Sequence, residues 1–185
     1  MAYIVQVFLK YPNHSSIEDK NVTSSNVNEK IYSKNDSIEY IIKQWKPSLS
    51  ALFPIGCDNQ LHFFFYWVLF FLIKRNNLYS IYIVYDGKKV IHHSVVFPRF
   101  YKFTFMKKKD IQIGMIYTDT KYRNQQIASI ILNKIIREHS QFFIWYLVDE
   151  YNTHSIKLAL KNGFKFYSKA VNKSKYFKSY KLINT

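Results

Sequence analysis

The chain has 185 residues, enough for one folded domain with a sizeable core. Apolar residues make up 48% of it, which excludes a disordered chain, and aromatic residues 19%, so many of its 16 tyrosines are expected with the ring packed and the hydroxyl at a polar partner. The 27 Lys+Arg against 12 Asp+Glu give a formal charge of +15, a field that attracts polyanions such as nucleic acid, anionic lipid or a phosphate-rich small molecule. The plainer reading is a Lys-rich solvated surface, and charge alone does not choose the partner.

Taken in chain order, Tyr3–Lys10 (YIVQVFLK) has strand-like content, and its surroundings lack the basic region, apolar stretch and cleavage site of a secretory signal. The sequons at Asn21, Asn35 and Asn172 then carry no glycosylation reading, and a cytoplasmic location is expected. Residues 11–34 are rich in Ser, Asn and Lys and read as a loop. Ser37 caps an expected short helix, SIEYIIKQW, that Pro47 ends. Cys57, the one cysteine, excludes an intramolecular disulfide and fits a reducing compartment. A buried, incidental thiol is expected there rather than a nucleophile. Leu61–Ile73 (LHFFFYWVLFFLI) is shorter than the roughly 20 residues that cross a bilayer, so 61–75 is expected to be a buried helix.

Beyond residue 78 the pattern changes. Tyr79–Tyr85 and Val90–Phe97 flank Asp86-Gly87, the signature of a hairpin. Lys107–Lys109 marks a solvated turn, and Ile111–Thr118 the next strand. Ile127–Glu138 has apolar residues at 127, 130, 131, 135 and 136, one helical face. Phe142–Val148 is apolar on both faces, as in the middle of a covered sheet. Asn152–Asn162 reads as a helix with Asn152 as its cap and Gly163 as its stop. Strands near 165–171 and 176–183 close the chain. The order predicts an α/β fold with a mixed sheet and a crossover helix between parallel strands. One domain is expected, with 1–78 as a helical, aromatic part and 79–185 as the core.

The turn before Ile127–Glu138 carries the chemistry. A helix N-terminus offers unpaired N–H groups and a positive dipole end, which suits a pyrophosphate. Arg123 precedes it, Lys121 is close by, and the small residues Ala128 and Ser129 let a ligand approach. Without an anion, an arginine at that end opposes the dipole.

These residues resemble the GNAT acyltransferase superfamily, whose pattern here is Gln/Arg-x-x-Gly-x-Gly/Ala. This chain reads Arg123-Asn124-Gln125-Gln126-Ile127-Ala128, with Gln126 where the first glycine belongs, the residue that would take positive φ freely. A second match follows in Asn152-Thr153-His154-Ser155 and Gly163-Phe164, and together they span roughly 79–183. The resemblance implies a GNAT-like mixed central sheet with flanking helices, and acetyl-coenzyme A or another short acyl-CoA as co-substrate with no metal. It implies that Ile116, Tyr117 and Thr118 offer backbone groups to the pantetheine arm, with Asn152 and Ser155 opposite. Arg123, Asn124, Gln125, Gln126, Ile127, Ala128 and Ser129 would hold the diphosphate. The stretch HHSVVFPRFYKFTFMKKKDIQIG further resembles members that acylate nucleotide-linked amino sugars for bacterial surface polysaccharide, including lipopolysaccharide.

Acyl transfer to an amine needs a base, a polarised carbonyl and a proton for the thiolate. His92, which shares a strand face with Ser94, is the first base candidate and Glu150 the second. Many members place a tyrosine acid where this chain has Ala159, so Tyr117, Tyr151, Tyr167 or solvent serves instead. The Tyr117 region's backbone amide is the expected carbonyl polariser. Two other readings stay open: a GNAT acting on a protein or peptide amine, and an inactive polyanion-binding module. No nucleic-acid motif and no spanning segment are evident. The N-terminal aromatic region either lines the acceptor pocket or makes a subunit contact, as in a homodimer.

Overall fold

The strand-like content of the first residues is realised in a computed structural model of the chain, which describes residues 3–10, 29–32, 39–49, 51–54, 56–57, 60–73, 78–100, 102–172 and 179–183. The strands are β1 (Tyr3–Lys10), β2 (Glu29–Tyr32), β3 (Glu39–Trp45), β4 (Ser80–Asp86), β5 (Lys89–Pro98), β6 (Ile111–Thr118), β7 (Ile144–Asp149), β8 (Lys165–Asn172) and β9 (Tyr180–Ile183). The helices are α1 (Gln60–Trp67), α2 (Ile127–Glu138) and α3 (Thr153–Lys161). Two compact units divide them: one of Met1–His14, Phe97–Gly114 and Leu132–Thr185, the other of Ser15–Val96 and Met115–Ile131.

In the first unit β1 is an inner strand. It pairs antiparallel with β7, from Val5 opposite Asp149 to Lys10 opposite Ile144, and antiparallel with β8 on its other side. Val7, Phe8 and Leu9 are therefore all buried, though neighbours in a strand point to opposite faces. The β8 register slips between Val7 and Phe8, a bulge that leaves Tyr167 as the extra residue. Ile111–Ile113 of β6 pair parallel with Ile144–Tyr146 of β7, and β9 pairs antiparallel with β8. This is the mixed sheet that the element order predicted; α3 reaches it through the Ser155 hydroxyl on Tyr146, and Phe164, just past the helix, packs on the same ring. Val7, Leu9, Phe103, Met106, Trp145 and Ala170 form one cluster of its core. Asp110, 4% exposed, is satisfied there by the Trp145 indole N–H at 2.7 Å and the Lys107 amide at 2.8 Å.

The second unit begins as an antiparallel meander, β2 to β3 to β4 to β5. The Asp86-Gly87 hairpin forms as expected, with Gly87 at φ 56. The expected helix over Ser37–Trp45 does not form: Glu39–Trp45 are strand β3, and Ser37 lies outside the described residues. Tyr40 and Ile42 alternate onto a buried face, and pairing from Ile41–Tyr85 to Trp45–Ile81 overrides a local helix tendency. The expected buried helix over 61–75 also differs. α1 stops at Trp67 and the backbone widens into a π-helical turn, Val68–Ile73; residues 74–75 lie outside the described set. Phe63 and Phe70 are fully buried, whereas Leu61 and Phe65, one turn apart on the other face, are 68% and 67% exposed. Among the described residues no helix is long and apolar enough to cross a membrane.

Candidate functional site

The turn that links the end of β6 to α2 has an unusual backbone. Met115 in β6 has φ 48, and after Thr118 the Asp119 carboxylate caps a 3-10 turn, Thr120–Tyr122, by accepting from the Lys121 amide at 3.0 Å. Asp119 also donates its own amide to the Ile91 carbonyl at 2.9 Å, tying the turn to β5. Arg123 is extended, and then Asn124 and Gln126 both enter the left-handed region, at φ 65 and 63. Asparagine tolerates that region; a glutamine does not gain it without strain, about 1–2 kcal/mol. Gln126 thus stands where the family pattern has glycine and adopts the glycine conformation.

The helix opens directly from that residue. The Ile130 amide donates to the Gln126 carbonyl at 3.0 Å, the first such bond of α2, so the amides of Ile127 and Ala128 precede the helical ladder. Ile127 is 2% exposed and pins the first turn from inside, while Gln126 is exposed and Ala128 half-buried. The Arg123 Nε donates to the Thr118 carbonyl at 3.2 Å. That bond uses one of the guanidinium's five donors and leaves the Nη groups for an acceptor from outside the protein.

The rest of the unit braces this turn. The Tyr40 hydroxyl on β3 donates to Gln125 Oε1 at 2.9 Å, and the Tyr40 ring meets Tyr122 edge-on at 6.1 Å. The Tyr122 hydroxyl donates to Asp86 Oδ2 at 2.7 Å; that hydrogen bond, helped by burial, pushes the phenol up to about 12. Lys89 pairs with Asp119 at 2.6 Å and lies over the Tyr122 ring. Each charge supports the other, so Lys89 is raised and Asp119 lowered, first of all by their mutual hydrogen bond. Sequence reasoning singled out none of Tyr40, Tyr122, Asp86 or Lys89 for the site.

His92 is fully buried. Its Nδ1 lies 2.8 Å from Thr118 Oγ1 and its Nε2 2.8 Å from Ser94 Oγ, so the shared face expected for His92 and Ser94 is present. Burial, and then the neighbouring His93, push it down to about 3, which keeps it neutral. A neutral imidazole has one donor and one acceptor nitrogen, so one hydroxyl donates a hydrogen bond to it and the other accepts one from it. Tyr117, 45% exposed, stacks on His93 at 5.4 Å. Of the expected site residues, this unit therefore brings together His92, Ile116, Tyr117, Thr118, Arg123 and the following residues through Ser129.

Glu150, Asn152 and Ser155 belong to the first unit, on the β7–α3 connection. The Asn152 side chain caps α3 by accepting from the Ser155 amide at 3.0 Å, as its sequence position predicted. Glu150 pairs with Lys169 at 3.2 Å. The Ser155 hydroxyl bonds Tyr146, a phenol raised by burial and only partly offset by that bond. Gly163, at φ 77, ends the helix, and Ala159 is fully buried beneath it.

Comparison with known proteins places the pattern in a family. A family model described as acetyltransferase (GNAT) family matches residues 38–164. Curated proteins give no match. Among solved structures, the chain is similar to a functionally unknown conserved protein from Staphylococcus epidermidis ATCC 12228, at 10% identity and a TM-score of 0.49. That similarity covers 91% of this chain and 60% of the other, so the chain spans less than two thirds of that structure's length. It is also similar to a predicted acetyltransferase with acetyl-CoA from Clostridium acetobutylicum, at 15% identity and a TM-score of 0.46, over 68% of this chain and 91% of that one.

Proposed function

Because the chain belongs to the acetyltransferase (GNAT) family, we propose that it moves an acetyl or other short acyl group from acyl-coenzyme A to an amine by direct attack. The observation that carries the reading is the turn ending at Gln126, which keeps the family's left-handed step and opens α2 with the Ile127 and Ala128 amides ahead of its ladder. Main-chain N–H groups and the dipole's positive end suit a diphosphate. Arg123 adds a bidentate-capable cation beside them.

The amine nitrogen attacks the thioester carbonyl carbon, the C–N bond forms as the C–S bond breaks, and sulfur leaves with the electron pair. The proton that the amine sheds ends on that sulfur. The main chain at Ile116–Thr118 pairs with the arm, and an amide near Tyr117 polarises the carbonyl. Burial and two hydroxyl partners suit His92 to holding Thr118 in place rather than to meeting the amine. By resemblance, Asn152 and Ser155 contribute to the arm; Glu150, the second base candidate of the sequence, would relay the amine's proton toward the sulfur.

The acceptor we favour is the amino group of a nucleotide-linked amino sugar, in surface-polysaccharide synthesis. The formal charge of +15 supports it, because both substrates would then be anionic and a cationic polyamine would be repelled. The test is calorimetric titration with coenzyme A, followed by thiol release from acetyl-CoA over a panel of sugar, peptide and polyamine acceptors. Binding without turnover on any amine leaves the polyanion module. No binding at all removes the reading.

A further inference from the structure

We propose that Tyr40 is a positioning residue for acyl-coenzyme A, whose hydroxyl holds the Arg123–Gln126 turn in its diphosphate-binding shape through Gln125. The inference rests on the reading of that turn given above and adds a residue from a strand far away in the sequence.

The turn has to be held by something. Two of its residues, Asn124 and Gln126, occupy the left-handed region, and neither is glycine. Such a backbone persists only where its surroundings over-determine it. Gln125 lies between those two residues and is half-buried, and its side-chain carbonyl accepts the Tyr40 hydroxyl at 2.9 Å. Tyr40 is a rigid donor: it is 2% exposed, and the next residue, Ile41, is paired to Tyr85 of β4. Its ring meets Tyr122, which is itself fixed by Asp86. The turn is thus gripped at Gln125 from one strand and at Tyr122 and Asp119 from the β4–β5 hairpin. Of these grips, the one from Tyr40 reaches the residue between the two left-handed steps. A glycine at 126 would take that shape without help; a glutamine there has it imposed.

Tyr40→Phe removes the hydroxyl and keeps the ring against Tyr122, so it isolates the bond. In the full-length protein without ligand, amide hydrogen exchange over residues 123–129 should quicken by about three- to tenfold, as expected for one lost hydrogen bond. The Kd for coenzyme A should rise by a similar factor. In turnover, KM for acetyl-CoA should rise while kcat and the KM for the amine stay put, a split that a general loss of stability would not produce. Gln125→Ala should reproduce these shifts, and the double variant should add nothing further, because both act through one bond. Unchanged exchange over 123–129 in Tyr40→Phe, or losses that add in the double variant, overturns the inference. If the unaltered protein itself fails to bind coenzyme A, the proposed function falls and the ligand named here with it, while the exchange measurement still decides whether Tyr40 holds the turn.

Discussion

Acidification should cost this protein stability through one imidazole. His92 has a reference value of 6.5, and burial takes it down to about 3 in the folded chain. Between those values the unfolded chain binds a proton at His92 and the folded chain does not, so stability rises with pH there and falls as the solution is acidified. The slope is about 1.4 kcal/mol per pH unit, which from neutral pH down to about pH 5 amounts to about 2 kcal/mol. That figure holds for any folded value below about 4.5. The comparison to make is urea unfolding of the unaltered protein and of His92→Gln over about pH 7.5 to 5, read as the difference between the two. The variant loses hydrogen bonds to Thr118 and Ser94 and starts less stable, but the unaltered protein's advantage should shrink by about 2 kcal/mol across the series. A gap that stays constant would falsify the buried, neutral imidazole. An ascending limb near pH 6.5 in kcat/KM that disappears in His92→Gln would instead return His92 to the role of base.

Other variants test the site piece by piece. Arg123→Ala should weaken coenzyme A binding by about 1.5–3 kcal/mol in calorimetry, and an unchanged affinity takes Arg123 out of the site. Gln126→Gly should leave coenzyme A affinity intact and raise the unfolding free energy by up to about 1 kcal/mol in urea titration, because relief of the left-handed strain outweighs the added chain entropy. A clear loss of stability would contradict that backbone. Asn152→Ala should lower stability by about 1 kcal/mol through the lost cap of α3, with Asn152→Asp restoring it; equal stability of all three would mean that the cap contributes nothing.

Much of the fold could be read in advance where local pattern and global structure agree. Ile127–Glu138 has a single apolar face, and the helix starts and stops at those residues. Asp86-Gly87 has no other good use between two β-rich runs, and the cap and stop of α3 follow from Asn152 and Gly163. Glu39–Trp45 misled because Tyr40, Ile41 and Ile42 are all apolar, which masks the period, and only pairing with β4 resolves it. That error hid Tyr40 from view. Its partner Gln125 lies 85 residues away, and no local spacing links them. The likeness of the turn to its family rests on Arg123 and Ala128. It could not show that Gln126 keeps a backbone shape for which it has the wrong side chain.

The hairpin tip at Asp86–Lys89 has a double employment. For the reversal itself, asparagine at 86 would serve as well as aspartate, and position 89 asks little beyond a residue that fits a strand. Yet Asp86 receives the Tyr122 hydroxyl and Lys89 pairs with Asp119. Substitutions that a turn would accept as neutral are therefore felt in Asp119–Tyr122, far downstream in the sequence. Across related chains, position 86 should change together with 122, and 89 together with 119, and tips of different length should go with differently built linkers ahead of α2.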